Sequence, residues 1–350
     1  MLIFTPDMAL VNRYRVRLTL LVLLALLAFS CGRRSGAGAG APAGGAAGGG
    51  AALRPFPAAP AVPRSYTDPA DRLDHVLRHF WDGFLADPSW FGQTDSSRIA
   101  GIPSGEVEQA VGTYVTLLEQ DVPYDIATRH FFRFLHSLED ADTSGVLVMP
   151  LARLFEKYLY DPQSPVRDDE LWRCAAVRLS ESPSVPDSLR PSYVWQARLC
   201  SLNRPGERAA DFFFVDRLGG RHRFHAVRAP LTLLLFSNPD CAACRELVDA
   251  LATDPQIADA LSDGRIAVVS VYIDRDVEAW RAAAADYPAS WLSGYDPSFT
   301  IRDDLLYSVR AIPSLYLLDA EKRVLLKDAP SPRVASLLRK LIPNTTAHEN

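Results

Sequence analysis

Two cysteines three residues apart, Cys241 and Cys244, follow the apolar run Leu231–Phe236 and precede a helical stretch over 245–251. A thiol at a helix N-terminus faces unpaired backbone N–H groups and the positive end of the helix dipole. Both favour the thiolate, which is the attacking form of sulfur. Cys241 takes that position and is the candidate nucleophile. Cys244, one turn further on, is placed to resolve a mixed disulfide. A metal site would need two further ligands, and no second pair supplies them. A purely structural disulfide is the bland alternative. Asp240 beside Cys241 partly opposes thiolate formation, and Ala242-Ala243 between the sulfurs gives no direct indication of reduction potential.

The surrounding pattern must position these sulfurs. Residues 231–236 are mostly apolar, as in a strand covered on both faces of a sheet, and 266–273 read the same way. A strand is expected over 211–215, with a turn at Leu218-Gly219-Gly220 and a short second strand near Phe224. Helical patterns lie at 256–261, 277–285 and 302–309. The chain then runs through Ala311-Ile312-Pro313-Ser314 into a strand at 315–318, a turn at 319–322, a strand at 323–327 and a last helix at 332–341.

A Cys-x-x-Cys between strand and helix, with an Ile-Pro opening a later strand, resembles the thioredoxin fold. More closely, the chain is similar to the thioredoxin-like domains of bacterial lipoproteins in the TlpA/ResA-like thiol-disulfide oxidoreductase group. Residues 205–212 look like the entry to that group's first strand, and 158–165 with Asn238-Pro239-Asp240-Cys241 carry a longer match to lipoproteins that pair such a module with an uncharacterised N-terminal helical domain. The resemblance implies an α/β thioredoxin-like domain over 204–345, preceded by an all-α domain over 65–203. It implies disulfide exchange with client proteins, with no cofactor beyond the redox-active Cys241–Cys244 disulfide. It also implies a cis Ile312-Pro313 peptide whose Ile312 backbone docks a substrate strand; a trans proline opening an ordinary strand is the alternative. Two departures matter. Thioredoxin's buried acid, six residues before the first cysteine, is replaced by Leu235, so no proton relay runs through that position. Peroxiredoxins have threonine three residues before the attacking cysteine; Asn238 stands there and disfavours a peroxidase.

The 350 residues are 48% apolar and 23% charged, a globular balance whose length suits two domains plus tails. A net charge of −5 with no basic run argues against a nucleic-acid partner. Five cysteines are too few for a disulfide scaffold and too scattered for a zinc ribbon. Arg13, Arg15 and Arg17 precede an apolar run over 18–29, which rises only about 18 Å as a helix against roughly 30 Å of bilayer hydrocarbon. Residues 1–30 therefore read as a signal peptide. Ala28-Phe29-Ser30-Cys31 resembles a bacterial lipobox, which makes Cys31 the lipidated first residue of a mature chain held to the inner or outer membrane, on the periplasmic side. Residues 31–64 are Gly-, Ala- and Pro-rich and suit a flexible tether.

Between 66 and 203 apolar residues recur at helical spacing in six stretches. His75 and His79 share a helix face one turn apart, but no third ligand is identifiable. Cys174 and Cys200 lie on successive helices and are a candidate structural disulfide, with two separately buried thiols as the alternative. No catalytic constellation occurs here. The expected activity is thus exchange with protein thiols and disulfides in the periplasm, coupled to a membrane electron donor or acceptor. The rival is a non-catalytic binding lipoprotein whose helical domain recognises a partner and whose thioredoxin fold is a scaffold. Mass spectrometry of the membrane fraction is expected to find a diacylglyceryl-modified peptide beginning at Cys31; a soluble mature chain starting elsewhere would overturn that assignment.

Overall fold

A computed structural model describes residues 53–120 and 124–342. The expected signal peptide, Cys31 and the first part of the expected tether lie outside them. The chain divides into two compact units, one ending at Leu151 and the other starting at Ala152. Among the described residues no helix is long and apolar enough to cross a membrane.

The first unit is helical apart from a minimal hairpin, β1 (Arg98–Ile99) with β2 (Ile102–Pro103). Its helices are α1 (Pro69–His79), α2 (Asp82–Leu85), α3 (Ser104–Gln120) and α4 (Tyr124–Ala141). Asp68 caps α1 by accepting the Ala70 N–H, with Pro69 in the first turn. Buried aromatic rings hold the unit: Trp81 lies 4.7 Å from Phe134 and 5.6 Å from Tyr114, centroid to centroid. Neither histidine of the α1 pair is idle. His75 hydrogen-bonds the Ala61 carbonyl, and His79 lies 2.7 Å from an Asp82 carboxylate oxygen. Among the described residues no group of three or more His, Cys, Asp or Glu could hold a metal ion.

The end of the expected tether differs from its compositional reading. Residues 53–64 have no regular structure, yet they lie along this unit. Phe56 stacks on Phe84 with centroids 5.8 Å apart, and its N–H donates to Glu106 at 2.9 Å. Arg54 donates to the Ala100 carbonyl at 2.9 Å and lies over the Trp90 ring. One aromatic and one cation suffice here because the neighbouring prolines already restrict φ, lowering the entropy cost of ordering.

α5 (Val148–Leu159) carries the chain from one unit to the other. α6 (Asp169–Glu181) and α7 (Arg190–Cys200) then belong to the same compact unit as the sheet, although the sequence counts them with the helical region ending at 203. The strands are β3 (Phe213–Asp216), β4 (Arg221–Arg223), β5 (Leu231–Phe236), β6 (Ile266–Tyr272), β7 (Leu292–Tyr295), β8 (Ser314–Leu318) and β9 (Val324–Lys327). They form one mixed sheet in the order β4-β3-β7-β6-β5-β8-β9. β5 and β6 are parallel, as are β6 and β7; the other pairs are antiparallel. The helices α8 (Ala242–Ala252), α9 (Pro255–Ser262) and α12 (Ser331–Leu341) cover one face, while α10 (Val277–Ala283) and the short α11 (Thr300–Asp303) flank the remaining connections. Alternation along β5 feeds two cores: Leu233 and Leu235 meet Leu247, Ile257 and Leu338, whereas Leu234 and Phe236 meet Phe214, Tyr307 and Tyr316. The helix expected over 302–309 is confined to α11, and the chain beyond it is irregular up to β8.

α6 and α7 reach the sheet's edge through buried charge. Arg310, three residues before Pro313, donates to Asp169 at 2.5 Å and to the Tyr160 carbonyl, and its guanidinium lies 4.1 Å from the Tyr160 ring centroid. Lys327 sits 3.0 Å from the other Asp169 oxygen and donates to the Cys200 carbonyl at 2.8 Å. Asp328 accepts from Ser314 Oγ at 2.8 Å, and its backbone carbonyl accepts from Arg167 at 2.8 Å. Both sides of Pro313 are thereby tied to the helices. Burial lifts the Asp328 carboxyl from 3.8 to about 6, against the pull of Arg167 and Arg310. The folded value exceeds the unfolded one, so between them the folded state binds more protons and stability falls as pH rises. Replacing Arg310 by methionine leaves buried carboxylate without its cation and is expected to cost about 3–5 kcal/mol near pH 8, and less near pH 5 where Asp328 is protonated. Urea unfolding at the two pH values measures this, and an equal loss at both would refute the link to Asp328.

Candidate active site

β5 ends at Phe236, and residues 237–240 turn the chain into α8. Asn238 shapes that loop from three sides. Its side-chain oxygen accepts the Asp240 N–H at 2.9 Å, its carbonyl accepts the Cys241 N–H at 3.1 Å, and its amide donates to Asp274 at 2.9 Å. Asp274 is bonded in turn to Arg302 of α11. Arg245 closes the loop from the helix side by donating to the Pro239 carbonyl at 2.7 Å.

Cys241 is the N-cap of α8. Its backbone is extended (φ −87°, ψ 113°), and its Sγ accepts the Cys244 N–H at 3.2 Å. The sulfur thus fills the role an aspartate or serine oxygen usually has at a helix start, satisfying an N–H that the helix leaves unpaired. The same thiol donates to the Ile312 carbonyl oxygen at 3.7 Å. The Ile312-Pro313 peptide is cis. Antiparallel pairing of β5 with β8 places Phe236 opposite Ser314, which brings the cysteine loop and the proline to the same end of the sheet.

The two sulfurs differ in access. Cys241 is partly exposed, whereas Cys244 is 1% exposed beneath the helix start. Burial pushes the Cys244 thiol up to about 12, and the neighbouring Cys241 adds to the shift. Deprotonating Cys244 is therefore opposed by its surroundings.

Cys241, Cys244, Ile312 and Pro313, singled out from sequence, converge on one place. Cys174 and Cys200 do not join them. Both are free thiols, as are Cys241 and Cys244, so the candidate bridge between α6 and α7 is not formed. Burial raises both of their pKa values, which keeps them protonated. Cys31 lies outside the described residues.

Sequence reasoning missed the polar floor of the site. Ser237 Oγ lies 2.9 Å from both Ser270 Oγ and the Tyr287 hydroxyl, and all three residues are buried. A pocket of about 140 Å³ beside them is lined by Cys244, Tyr287, Asn238, Arg245 and Asp286, among others. Ser270, a lone polar residue inside the apolar strand β6, was the one available signal. Leu235 is fully buried among apolar side chains, as its type demands.

Residues 41–197 match the family model Domain of unknown function (DUF5106). A thioredoxin-like protein from Bacteroides caccae ATCC 43185 is 29% identical over 81% of this chain and 97% of its own, with a TM-score of 0.70. The C-terminal domain of an uncharacterized protein from Bacteroides fragilis NCTC 9343 is 36% identical over 39% of this chain and 98% of its own, with a TM-score of 0.38. The thioredoxin domain of a thiol-disulfide oxidoreductase from Bacteroides vulgatus is 20% identical over 40% of this chain and 98% of its own, with a TM-score of 0.36. No curated protein matches by sequence. The sheet-bearing part of the chain has the thioredoxin-like fold.

At about pH 8, iodoacetamide is expected to modify Cys241 of the reduced protein while Cys244 stays unmodified, because a thiol titrating near 12 is almost wholly protonated there. Peptide mapping of the alkylated chain decides it. Modification of Cys244 ahead of Cys241 would reverse the assignment.

Proposed function

We propose that this chain is a membrane-anchored periplasmic thiol-disulfide oxidoreductase that exchanges disulfides with client proteins through Cys241 and Cys244. The observation that carries the proposal is the position of Cys241: its sulfur caps α8, accepts the Cys244 N–H, and faces the Ile312 carbonyl beside a cis proline. A helix N-terminus stabilises negative charge on that sulfur, and the Ile312 carbonyl, released by the thiol once it ionises, can accept an N–H from an extended client segment.

In the reductive direction, the Cys241 thiolate attacks one sulfur of a client disulfide. A bond forms between Cys241 Sγ and that sulfur, the client disulfide breaks, and the departing client thiolate takes a proton. Cys244 then loses its proton and attacks Cys241 Sγ. The Cys241–Cys244 disulfide forms, the mixed disulfide breaks, and the second client thiolate is protonated. Run backward, the same steps oxidise a client dithiol. A membrane electron donor or acceptor sets the direction by returning the pair to its starting state. The lipid on Cys31, together with the Gly/Ala/Pro-rich segment after it, would keep the domain at the membrane while letting it reach its clients.

Replacing Cys244 by serine keeps the attacker and removes the resolver, so mixed disulfides with periplasmic proteins are expected to accumulate on non-reducing gels. Replacing Cys241 by alanine should abolish them and lower insulin reduction with dithiothreitol by at least about a hundredfold, as loss of an essential nucleophile does. Equal insulin reduction by the intact protein and Cys241→Ala would leave the fold as a scaffold for partner binding.

A further inference from the structure

The second step of the exchange poses a problem that the thiol pair does not solve by itself. Cys244 must give up a proton from a position only 1% exposed, and Leu235 removes the acid that could have accepted it from the strand below. Polar groups reach Cys244 from its own helix and from the segment after α10. Arg245 and Asp249 come from α8, Asp286 and Tyr287 from the segment after α10, and all four line the small pocket together with Cys244. Asp286 and Asp249 are carboxylates on a pocket open to solvent. Tyr287 is different: it is 6% exposed, and its hydroxyl sits at 2.9 Å on Ser237, which is itself bonded to Ser270.

We propose that Tyr287 is the positioning residue of the resolving step, its hydroxyl turning from Ser237 to donate a hydrogen bond to the Cys244 sulfur as that sulfur becomes a thiolate. This rests on the exchange chemistry assigned to Cys241 and Cys244 above. Ser237 and Ser270 hold the hydroxyl in reserve, because Ser237 can accept or donate and so releases Tyr287 without leaving a buried group unpaired. Burial raises the Tyr287 phenol, and both cysteine sulfurs act in the same direction, so it remains a neutral donor at working pH. The balance is complete without further reactants. The Cys244 proton leaves through water in the pocket, the Cys244–Cys241 bond forms as the bond from Cys241 to the client sulfur breaks, and the departing client thiolate takes up a proton.

The test separates the two sulfurs in one trace. The reduced full chain, carrying Cys31→Ser and Cys174→Ser, is mixed with dithiobis(nitrobenzoate), whose released thiolate absorbs visible light. Attack by Cys241 releases the first equivalent and leaves a mixed disulfide; attack by Cys244 releases the second. In Tyr287→Phe the first release should stay within about twofold of the parent. The second should slow by about ten- to a hundredfold, the worth of one hydrogen bond to a charged group, and its pH profile should move to higher pH. Ser237→Ala keeps the tyrosine hydroxyl and removes only the partner it must leave; the second release should stay at the parent rate or rise. Asp286→Asn should change neither phase. If both phases slow together, if the second is unaltered in Tyr287→Phe, if Ser237→Ala slows it as much as Tyr287→Phe, or if only Asp286→Asn slows it, Tyr287 does not have this role. A parent protein that releases no second equivalent would instead refute the Cys241–Cys244 pairing on which the role rests.

Discussion

A carbonyl and a thiol must face one another across a gap in the backbone, and the buried guanidinium of Arg310 is what keeps that gap fixed. The peptide at Ile312-Pro313 belongs to no helix, and the ladder begins only at Ser314. Left alone, such a segment would sample many conformations. Here Arg310 is clamped between Asp169, Asp328 and the face of Tyr160, and Ser314 is bonded to Asp328. Burying these charges costs solvation, and the cost is recovered only if every partner stays in place. The interaction therefore adds little to net stability while making departures from one geometry expensive. It also gives α6 and α7 a reason to exist in this unit: α6 supplies the Asp169 carboxylate that holds Arg310 and Lys327, and α7 the Cys200 carbonyl that holds Lys327.

The pair of sulfurs draws its asymmetry from a single helix start. Cys241 occupies the cap, where N–H groups are in excess and solvent is near. Three residues later Cys244 has entered the first turn and lies under it. Opposite environments at this spacing need no charged neighbour, which is consistent with Ala242 and Ala243 filling the space between. Acidic side chains are nevertheless close in the loop: Asp240 adjoins Cys241 in the chain, and Asp274 accepts from Asn238.

Much of this was legible in the sequence because it rests on local pattern. The buried strands β5 and β6 announce themselves as apolar runs, the cysteines by their spacing, and α8, α9 and α12 by their helical patterns. β7 was missed for a reason visible in its packing. A Cβ on Gly294 would lie 2.5 Å from the Val215 carbonyl oxygen and 2.7 Å from the Phe214 ring, so the closeness of β3 demands a residue that otherwise argues against a strand. The Arg310 clamp was invisible for a different reason. Asp169, Arg310 and Asp328 are ordinary charged residues in sequence, and only the fold brings them together out of water. The same is true of Phe56, whose aromatic ring stood in a segment read by its small residues. The hydroxyls of Ser237 and Tyr287 carry no spacing rule at all, since they stand fifty residues apart and meet only in the fold.

The pairing of Phe236 with Ser314 has a consequence for how this chain can change its length. Sulfur and proline are set opposite one another by the ladder between two strands that run in opposite directions, not by the amount of polypeptide joining them. The connections at 262–265 and 319–322 can therefore gain or lose residues without altering the distance between Cys241 and Ile312. One residue inserted between Pro313 and Leu315 is another matter. It would exchange the faces of Leu315 and Leu317, pull Ser314 off Asp328, and carry the proline about 3.4 Å along the strand. Divergent copies of this fold can thus drift widely in their loops while a stretch of three residues keeps strict count.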